Sequence, residues 1–194
     1  MDQKTEAQIV ARVLKGDRQA YALLVEEYKT PVYNLAYRMT GNLEDAEDLA
    51  QEVFLRSFQQ LSRYDMKRSF FNWLYTISLN LIRNHLKKTG SRQKNFRSVN
   101  ISSDTIVSDR GETALRETAD LEDSRKEREA QLENCLHKLS PELRELLVLR
   151  FYQGISFEKI AAITGFSQSA VKMRVYRGLE KLREFIEKNV TSAG

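Results

Sequence analysis

Apolar residues recur at three- and four-residue steps along most of the chain, which is the spacing of one face of an α-helix. The 194 residues include only two prolines and eight glycines, so few residues interrupt helices. Leu, Glu, Lys, Arg and Ala, which favour helices, are frequent. The pattern and the residue usage together predict an all-α protein.

In the N-terminal half, residues that start or stop helices divide this pattern into closely connected segments. The boundaries are marked by Thr5 with Gln8 as a capping box, Gly16 as a stop, Asp17 as a cap, Thr30-Pro31 as the start of a third helix, and Asn42 as the start of a fourth. Because short connections favour antiparallel neighbours, we expect these helices to pack as a bundle.

Two helices joined by a tight turn are predicted for residues 156–183. Ser156 caps the first helix, Gly165 ends it with a left-handed residue, and Ser167 caps the second. The second helix has an apolar stripe and an opposite, exposed face with Ser169, Met173, Tyr176 and Glu180, flanked by Lys172 and Arg177. The pattern predicts a DNA-reading helix-turn-helix, and an ordinary helical hairpin with a solvated basic face also fits it.

The fourth helix begins with an acidic segment that has no basic residue in its first three turns. Acids in the first turn favour the helix dipole and need no other explanation. Asp45, Asp48 and Glu52, however, fall on one face, and the last two lie beyond the first turn. This face is either a protein-docking surface or a solvated surface, and the charge pattern does not separate the two.

The helix capped by Ser69 has two apolar stripes and a third, polar face. The stripes are Phe70, Leu74, Ile77 and Leu81, then Tyr75, Leu79, Ile82 and Leu86; the polar face carries Asn72, Thr76, Asn80, Arg83 and Lys87, bordered by Trp73. Such a face suits single-stranded nucleic acid, because bases stack on rings while amides read their edges. Trp73 fits either this role or the core.

A basic run without an acid follows this polar face and indicates phosphate binding. It consists of Arg83, Lys87, Lys88, Arg92, Lys94 and Arg97. Beyond it, residues 98–123 are rich in Ser, Thr and Asp and poor in large apolar residues, which is typical of a linker. The chain therefore divides into an N-terminal helical domain, 1–96, a flexible linker, 97–128, and a C-terminal helix-turn-helix domain, 129–194.

Composition excludes several classes of function. A net charge of +4 allows a polyanionic partner without requiring one. The single cysteine, Cys135, excludes an internal disulfide and fits a cytoplasmic protein. We expect no membrane insertion, because there is no signal-like start and no run of roughly eighteen apolar residues. We expect no cofactor and no enzymatic activity, because no nucleophile–base pair, phosphate loop or metal-ligand spacing is present.

Four segments of the chain resemble the bacterial sigma factors, specifically the two-domain extracytoplasmic-function group. They are GDRQAYALLVEEY at 16–28, DAEDLAQEVFLRSF at 45–58, SFFNWLYTISLN at 69–80 and LSPELRELLVLRFYQGISFEKIA at 139–161. The resemblance covers nearly the whole chain except the linker and the tail. Four motifs in the expected order are far more specific than any one of them.

The resemblance implies roles for three groups of residues. The acidic helix would dock on the clamp coiled coil of RNA polymerase through Asp45, Asp48, Gln51 and Glu52. The residues that would open and read the minus-ten element are Arg68, Phe70, Phe71, Asn72, Trp73 and Asn80. Arg83 and Lys87 would bind phosphates. The residues that would read the minus-thirty-five element are Ser169, Lys172, Met173, Tyr176 and Arg177. Arg174 would contact the DNA backbone. The chain departs from the family pattern at Met66, Lys67 and Asn84-His85. These departures affect which minus-ten sequence the chain would recognise.

The resemblance also implies partners: the beta-prime clamp and beta flap of RNA polymerase core, duplex and single-stranded promoter DNA, and an anti-sigma factor that is often membrane-bound. An anti-sigma factor of that kind would hold the chain at the inner face of the membrane. A stand-alone helix-turn-helix regulator remains the alternative function. It would bind its operator tightly without polymerase, whereas a sigma factor would bind duplex DNA weakly by itself and act through polymerase.

Overall fold

The structure, a computed structural model, describes residues 1–93 and 117–191, and for residues 90–93, 117–127 and 189–191 it describes the backbone alone. Its long elements are α1 (Gln3–Leu14), α2 (Tyr21–Thr40), α3 (Leu43–Gln59), α4 (Phe70–Gln93), α5 (Glu117–Lys138), α6 (Pro141–Leu147), α7 (Phe157–Thr164) and α8 (Gln168–Thr191). Arg18–Ala20 and Leu61–Arg63 form 3₁₀ turns, and Val148–Tyr152 is π-helical. In this part of the chain the prediction of an all-α fold is confirmed.

Several predicted helix boundaries are confirmed by their caps. The Asn42 side chain accepts a hydrogen bond from the Asp45 amide at 2.9 Å and starts α3. Ser156 accepts from the Lys159 amide at 3.3 Å and starts α7, which ends at Gly165 with φ of 79°. Ser167 accepts from the Ala170 amide at 3.2 Å and starts α8.

Two predicted boundaries are wrong. Asp2, not Thr5, caps α1, because its carboxylate accepts a hydrogen bond from the Thr5 amide at 2.7 Å. No third helix starts at Thr30-Pro31, since α2 continues through Pro31 to Thr40. A proline inside a helix costs roughly 3 kcal/mol, but the buried side chains of α2 run from Tyr21 to Met39 on both sides of it. Their packing keeps the helix continuous.

Helices α1 to α4 form the predicted N-terminal bundle. The largest buried side chains of α2 and α4, among them Leu24, Leu35, Met39, Leu74 and Tyr75, lie at its centre. Most of the two apolar stripes predicted for α4 are buried, with Ile77 and Leu86 partly so. A helix near the middle of the bundle therefore carries the predicted polar face.

The predicted linker, 97–128, contributes residues 117–128 to the backbone of α5, and residues 97–116 lie outside the described part of the chain. Helices α5 to α8 build the C-terminal unit around buried side chains such as Leu136, Leu146, Ile160 and Val171. Across the residues that the structure describes, no helix combines the length and apolar character needed to span a bilayer.

The two units pack against each other, which the sequence analysis does not predict. Arg38 of α2 forms an ion pair with Glu133 of α5 at 2.8 Å, and its guanidinium lies 3.7 Å from the centre of the Tyr152 ring. At Gly41, whose φ is 72°, a β-carbon would stand only 2.9 Å from the ring carbon Cε1 of His137. The end of α2 therefore fits closely against the end of α5.

Arg144 of α6 is buried at this junction. Its guanidinium donates to the carbonyls of Met39, Leu136, His137 and Leu139 over 2.6 to 3.2 Å. Three of these carbonyls lie in the last turns of α2 and α5, where helices leave carbonyls without internal partners. Burial lowers the pKa of Arg144, yet an arginine stays protonated, so the helix-end dipoles offset its desolvation.

We predict that Arg144→Met lowers the free energy of unfolding by about 3–5 kcal/mol, because buried carbonyls lose a charged donor. Urea denaturation followed by circular dichroism measures the change. Arg56→Met, which removes an exposed arginine that pairs with Glu52, is the control and should change stability by about 0.5 kcal/mol or less. A loss below about 1 kcal/mol for Arg144→Met would mean that water replaces the guanidinium.

We predict that acidification destabilises the fold through His137. Burial, followed by the nearby charge of Arg144, lowers the pKa of His137 from 6.5 to about 4. Between these values the unfolded chain binds a proton that the folded chain does not, so stability is lost as pH falls from 6.5 to about 4. His137→Gln, which cannot titrate, should show a shallower fall in the urea midpoint over this range. Parallel curves for the two proteins would contradict the assignment.

Candidate protein and nucleic-acid interfaces

The acidic face of α3 is a mixed surface that we call the α3 surface, formed by Asp48, Gln51, Glu52 and Leu55. Asp48, Gln51 and Leu55 are exposed, and Leu55 is 53% exposed although it is apolar. Glu52 pairs with Arg56 one turn away. An exposed leucine beside carboxylates favours a protein-docking surface over a merely solvated face.

Asp45, also predicted to take part in docking, pairs with a residue of the same bundle. Its Oδ2 lies 3.2 Å from Nε2 of His85 on α4. Asp45 is half-buried, whereas Asp48 is exposed and pairs with no cation among the described residues. The structure thus separates Asp45, which links α3 to α4, from the outward-facing residues of the α3 surface.

A buried carboxylate fixes the start of α4. Glu6 of α1 is 2% exposed, and its side chain accepts hydrogen bonds from the Tyr28 hydroxyl and, at 3.2 Å, from the Phe70 amide. Burial and then the bond to Glu6 raise the pKa of Tyr28, so its hydroxyl remains a donor. The Phe70 amide is one of the donors that a helix start leaves unsatisfied, and negative charge is favourable there.

Sequence reasoning missed Glu6, although a signal was present. Glu6 lies at helical spacing from the buried Ile9, Val10 and Val13, so it is an acid on the apolar face of α1. Charged residues are rarely buried without a partner, and this position therefore indicates a specific hydrogen-bonding role.

The aromatic residues at the start of α4 divide into core and boundary positions. Phe70, predicted to take part in reading the minus-ten element, is 0% exposed and packs against Tyr28, Tyr64 and Trp73 of the same bundle, so it is a core residue in this structure. Phe71 is half-buried, with its ring 4.2 Å from that of Tyr75. Phe71 keeps a partly open edge.

Trp73, for which the sequence left two roles open, is half-buried. Its ring lies 5.2 Å from that of Tyr64 and 5.5 Å from that of Phe70. Burial raises the pKa of Tyr64 to about 12, and its hydroxyl donates to the Arg68 carbonyl, which holds the connector before α4. Trp73 thus packs on the core with one part of its ring and leaves the remainder open.

The polar face of α4 is exposed at some positions and covered at others. Asn80 and Lys87 are exposed, as is Arg68 in the connector before α4, whereas Asn72, Thr76 and Arg83 are half-buried. Asn72 Oδ1 is a buried acceptor without a hydrogen-bond partner in the described part of the chain. The predicted basic run is described only as far as the side chain of Lys88, and Arg92, Lys94 and Arg97 lie beyond the described side chains.

Helices α7 and α8 form the predicted helix-turn-helix. Val171 and Val175 of α8 are buried, and the predicted reading face is open, with Met173 69% and Tyr176 60% exposed. Ser169, Lys172 and Arg177 are also exposed. Large apolar and aromatic side chains exposed beside cations suit the edges and backbone of a DNA groove.

Arg174, predicted to contact the DNA backbone, is half-buried and has internal partners. It pairs with Glu142 of α6 at 2.7 Å, and its guanidinium lies 4.3 Å from the centre of the Phe166 ring. These contacts hold the turn of the helix-turn-helix against α6. Among the described residues, no group of three or more His, Cys, Asp or Glu side chains is arranged to hold a metal ion.

Comparison with known protein families gives two matches. Residues 24–92 match Sigma-70 region 2, and residues 129–182 match Sigma-70, region 4. The first match contains α3, most of α2 and α4 up to its last residue but one, and the second runs from the second half of α5 to Leu182 in α8. The two matched regions therefore contain the α3 surface, the polar face of α4 and the helix-turn-helix.

Similar proteins extend over almost the full chain. The ECF RNA polymerase sigma factor SigW of Bacillus subtilis is 32% identical over 186 residues, covering 90% of this chain and 93% of its own. The ECF RNA polymerase sigma-E factor of Escherichia coli is 30% identical, with 93% and 94% covered. The RNA polymerase sigma-H factor of Pseudomonas aeruginosa is 29% identical, with 96% of both chains covered.

Two solved structures are similar in fold. CnrH in complex with the cytosolic domain of CnrY has a TM-score of 0.66 and 25% identity, covering 94% of this chain and 97% of its own. The sigma factor RpoE in complex with the anti-sigma factor NepR, from Bartonella quintana, has a TM-score of 0.65 and 23% identity, covering 86% and 96%.

Proposed function

Because the chain belongs to the ECF RNA polymerase sigma factors, we propose that it binds RNA polymerase core, directs it to specific promoters and helps to open them. The family consists of transcription initiation factors rather than enzymes. The observation that carries the proposal is the combination in one chain of an exposed acidic and apolar surface on α3, a polar face bordered by aromatic rings on α4 and an exposed basic face with Met173 and Tyr176 on α8.

Polymerase docking is assigned to the α3 surface. Exposed acids surrounding an apolar side chain complement a basic, partly apolar partner such as a clamp coiled coil, and the charges would also accelerate the encounter. The beta flap is the second contact expected on polymerase, and we assign it to the C-terminal domain. Asp45 acts indirectly, through its contact with His85.

Promoter opening is assigned to α4 and the connector before it. Opening several base-pair steps costs about 1.4 kcal/mol each, whereas stacking one base returns about 1–3 kcal/mol. One small domain can capture a base or two but cannot sustain a bubble alone. Arg68, Phe71, Asn72, Trp73 and Asn80 would hold the extruded base, while polymerase supplies the remaining contacts; Arg83 and Lys87 would hold phosphates.

The minus-thirty-five element is assigned to the exposed face of α8. Lys172, Met173, Tyr176 and Arg177 would reach base edges, with Ser169 beside them. Arg174 would first have to exchange its partner Glu142 for a phosphate, so we give it a supporting role.

We further propose control by an anti-sigma factor, the kind of partner named in the complex of RpoE with NepR. With polymerase and promoter DNA as targets, the chain acts in the cytoplasm. A membrane-anchored anti-sigma factor would hold it at the inner face of the membrane until released.

In vitro transcription with core polymerase and genomic fragments tests the proposal. We expect discrete start sites that share a two-part promoter motif, and only weak binding of the free chain to the same duplexes. Tight footprints without polymerase, together with no polymerase-dependent start sites, would favour a stand-alone helix-turn-helix regulator.

We predict that Asp48→Lys combined with Glu52→Lys weakens association with core polymerase at least about tenfold, because like charges then face each other across the interface. Gel filtration and a titration of fluorescent core measure the association. Glu26→Lys combined with Glu184→Lys changes the net charge equally at two exposed positions elsewhere and should bind normally. Equal affinity of both double variants would remove the α3 surface from the docking site.

We predict that Arg177→Ala reduces promoter discrimination by about 1–3 kcal/mol, as expected when a base-edge contact is lost. The ratio of transcripts from intact and minus-thirty-five-mutated promoters measures it. Arg183→Ala removes an exposed arginine from the same helix, one that pairs with Glu187, and should leave the ratio unchanged. An unchanged ratio for Arg177→Ala would remove this residue from the reading face.

A further inference from the structure

The connector before α4, residues 64–69, turns most of its side chains to solvent. Asp65, Met66, Lys67 and Arg68 are exposed in succession, so burial of side chains does not hold this stretch in place. Hydrogen bonds from the amides of Lys67 and Arg68 to Asp65, at 3.0 and 2.9 Å, close a turn without attaching it to the bundle. Other groups must therefore fix where the turn stands.

Helix α1 supplies two of those groups. Nε2 of Gln3 donates to the Lys67 carbonyl at 3.1 Å, and the Glu6 carboxylate accepts from the Phe70 amide at 3.2 Å. Gln3 and Glu6 have the spacing of neighbours on one helix face, and their two backbone partners have the same spacing along the chain. Helix α1 therefore holds both ends of the segment 67–70, which contains Arg68.

Tyr64 gives this segment a third attachment. It is buried, its hydroxyl donates to the Arg68 carbonyl, and its ring lies 5.5 Å from that of Phe70. The backbone around Arg68 is thus attached to the bundle, whereas the Arg68 side chain is 83% exposed. A connector with a fixed backbone and exposed side chains is preorganised for a partner, because less ordering remains to be done on binding.

Glu6 does more than fill space in the core. It is 2% exposed, and its second oxygen accepts from the Tyr28 hydroxyl, so both oxygens are engaged. A leucine would fill similar space without the desolvation of a carboxylate, but it would leave the Phe70 amide without this acceptor. The carboxylate therefore specifies the position of the start of α4 in addition to joining three helices.

We propose that Glu6, and more weakly Gln3, are positioning residues for promoter opening, which hold the segment 67–70 where Arg68, Phe71 and Trp73 meet an extruded base. The inference rests on the proposed role of α4 and its connector in promoter opening. Both residues act through the backbone of that segment. The α3 surface and the reading face of α8 lie on other elements, so docking on polymerase and reading of the minus-thirty-five element are independent of them.

The full-length variant Glu6→Leu, assembled with core polymerase, tests this role. Permanganate reactivity of unpaired thymines measures promoter opening, and a titration of fluorescent core measures association. We expect an about tenfold lower ratio of open to closed complexes, as for the loss of one hydrogen bond to a charged group, at unchanged affinity for core. Gln3→Ala should lower the ratio about threefold or less, since Gln3 is exposed and uncharged.

Two variants separate positioning from general destabilisation. In Glu6→Gln the side-chain carbonyl still accepts from the Phe70 amide, and the NH₂ group donates to the Tyr28 hydroxyl, which can accept as well as donate. This variant should open promoters nearly as well as the wild type. Tyr21→Phe removes a buried hydroxyl that bonds α2 to Ser57 of α3, so it should lower stability without changing opening.

Trp73, the only tryptophan of the chain, reports the position of the connector in the free protein. Its ring packs on those of Tyr64 and Phe70, so release of the start of α4 should expose it. We expect stronger acrylamide quenching and a red-shifted emission for Glu6→Leu, and wild-type values for Glu6→Gln and Tyr21→Phe. Circular dichroism verifies that each variant remains helical.

Normal opening by both Glu6→Leu and Gln3→Ala would overturn the proposal. So would an opening defect that Tyr21→Phe shares, or one that a weaker affinity for core explains. If Glu6→Leu does not fold, Gln3→Ala decides: reduced opening at unchanged core affinity supports the proposal, and normal opening overturns it.

In vitro transcription by the wild type separates failure of this inference from failure of the proposed function. Discrete start sites for the wild type, with variants that open promoters normally, would leave the sigma activity intact and remove only the positioning role. Absence of polymerase-dependent start sites for the wild type would overturn the proposed function, and with it the inference.

Discussion

The guanidinium of Arg144 lies buried between the ends of two helices, one from each domain, and donates to the carbonyls of Met39, Leu136, His137 and Leu139. No carboxylate among the described residues pairs with it. The partial negative charge at the ends of α2 and α5 balances the cation, and the cation donates to carbonyls in the last turns of both helices. This interaction fixes where the C-terminal unit meets the N-terminal bundle.

The remaining interdomain contacts follow from that position. With the start of α6 held at the end of α2, the next turns bring Glu145 to Arg83, Tyr152 to Arg38 and Gln153 to Tyr75. These contacts are polar and partly buried, and beside them the buried apolar side chains of the two units form one continuous cluster. The polar contacts therefore specify one arrangement of two units that also share buried apolar surface.

The chemistry of promoter opening requires the same kinds of group that stabilise this interface. A cation that can hold a phosphate can also hold a buried carboxylate, as Arg83 holds Glu145. Oδ1 of Asn72 is a buried acceptor without a hydrogen-bond partner among the described residues. A second buried carboxylate, Glu6, accepts a hydrogen bond from the Phe70 amide and so holds the start of α4. Buried side chains thus fix the position of α4, and half-buried side chains form much of its polar face.

The sequence alone determined the all-α class, the caps at Asn42, Ser156 and Ser167, the left-handed Gly165 and the exposed faces of α3 and α8. These features depend on residues within about one or two helical turns, so periodicity and capping rules suffice. Only the tertiary structure decided that α2 runs through Pro31, that Phe70 is core while Trp73 lies at its edge, and that Arg83 faces Glu145. Those outcomes join residues far apart in the chain, 64 positions for Glu6 with Phe70 and 105 for Met39 with Arg144. Local spacing carries no information about which distant groups meet when the cores close.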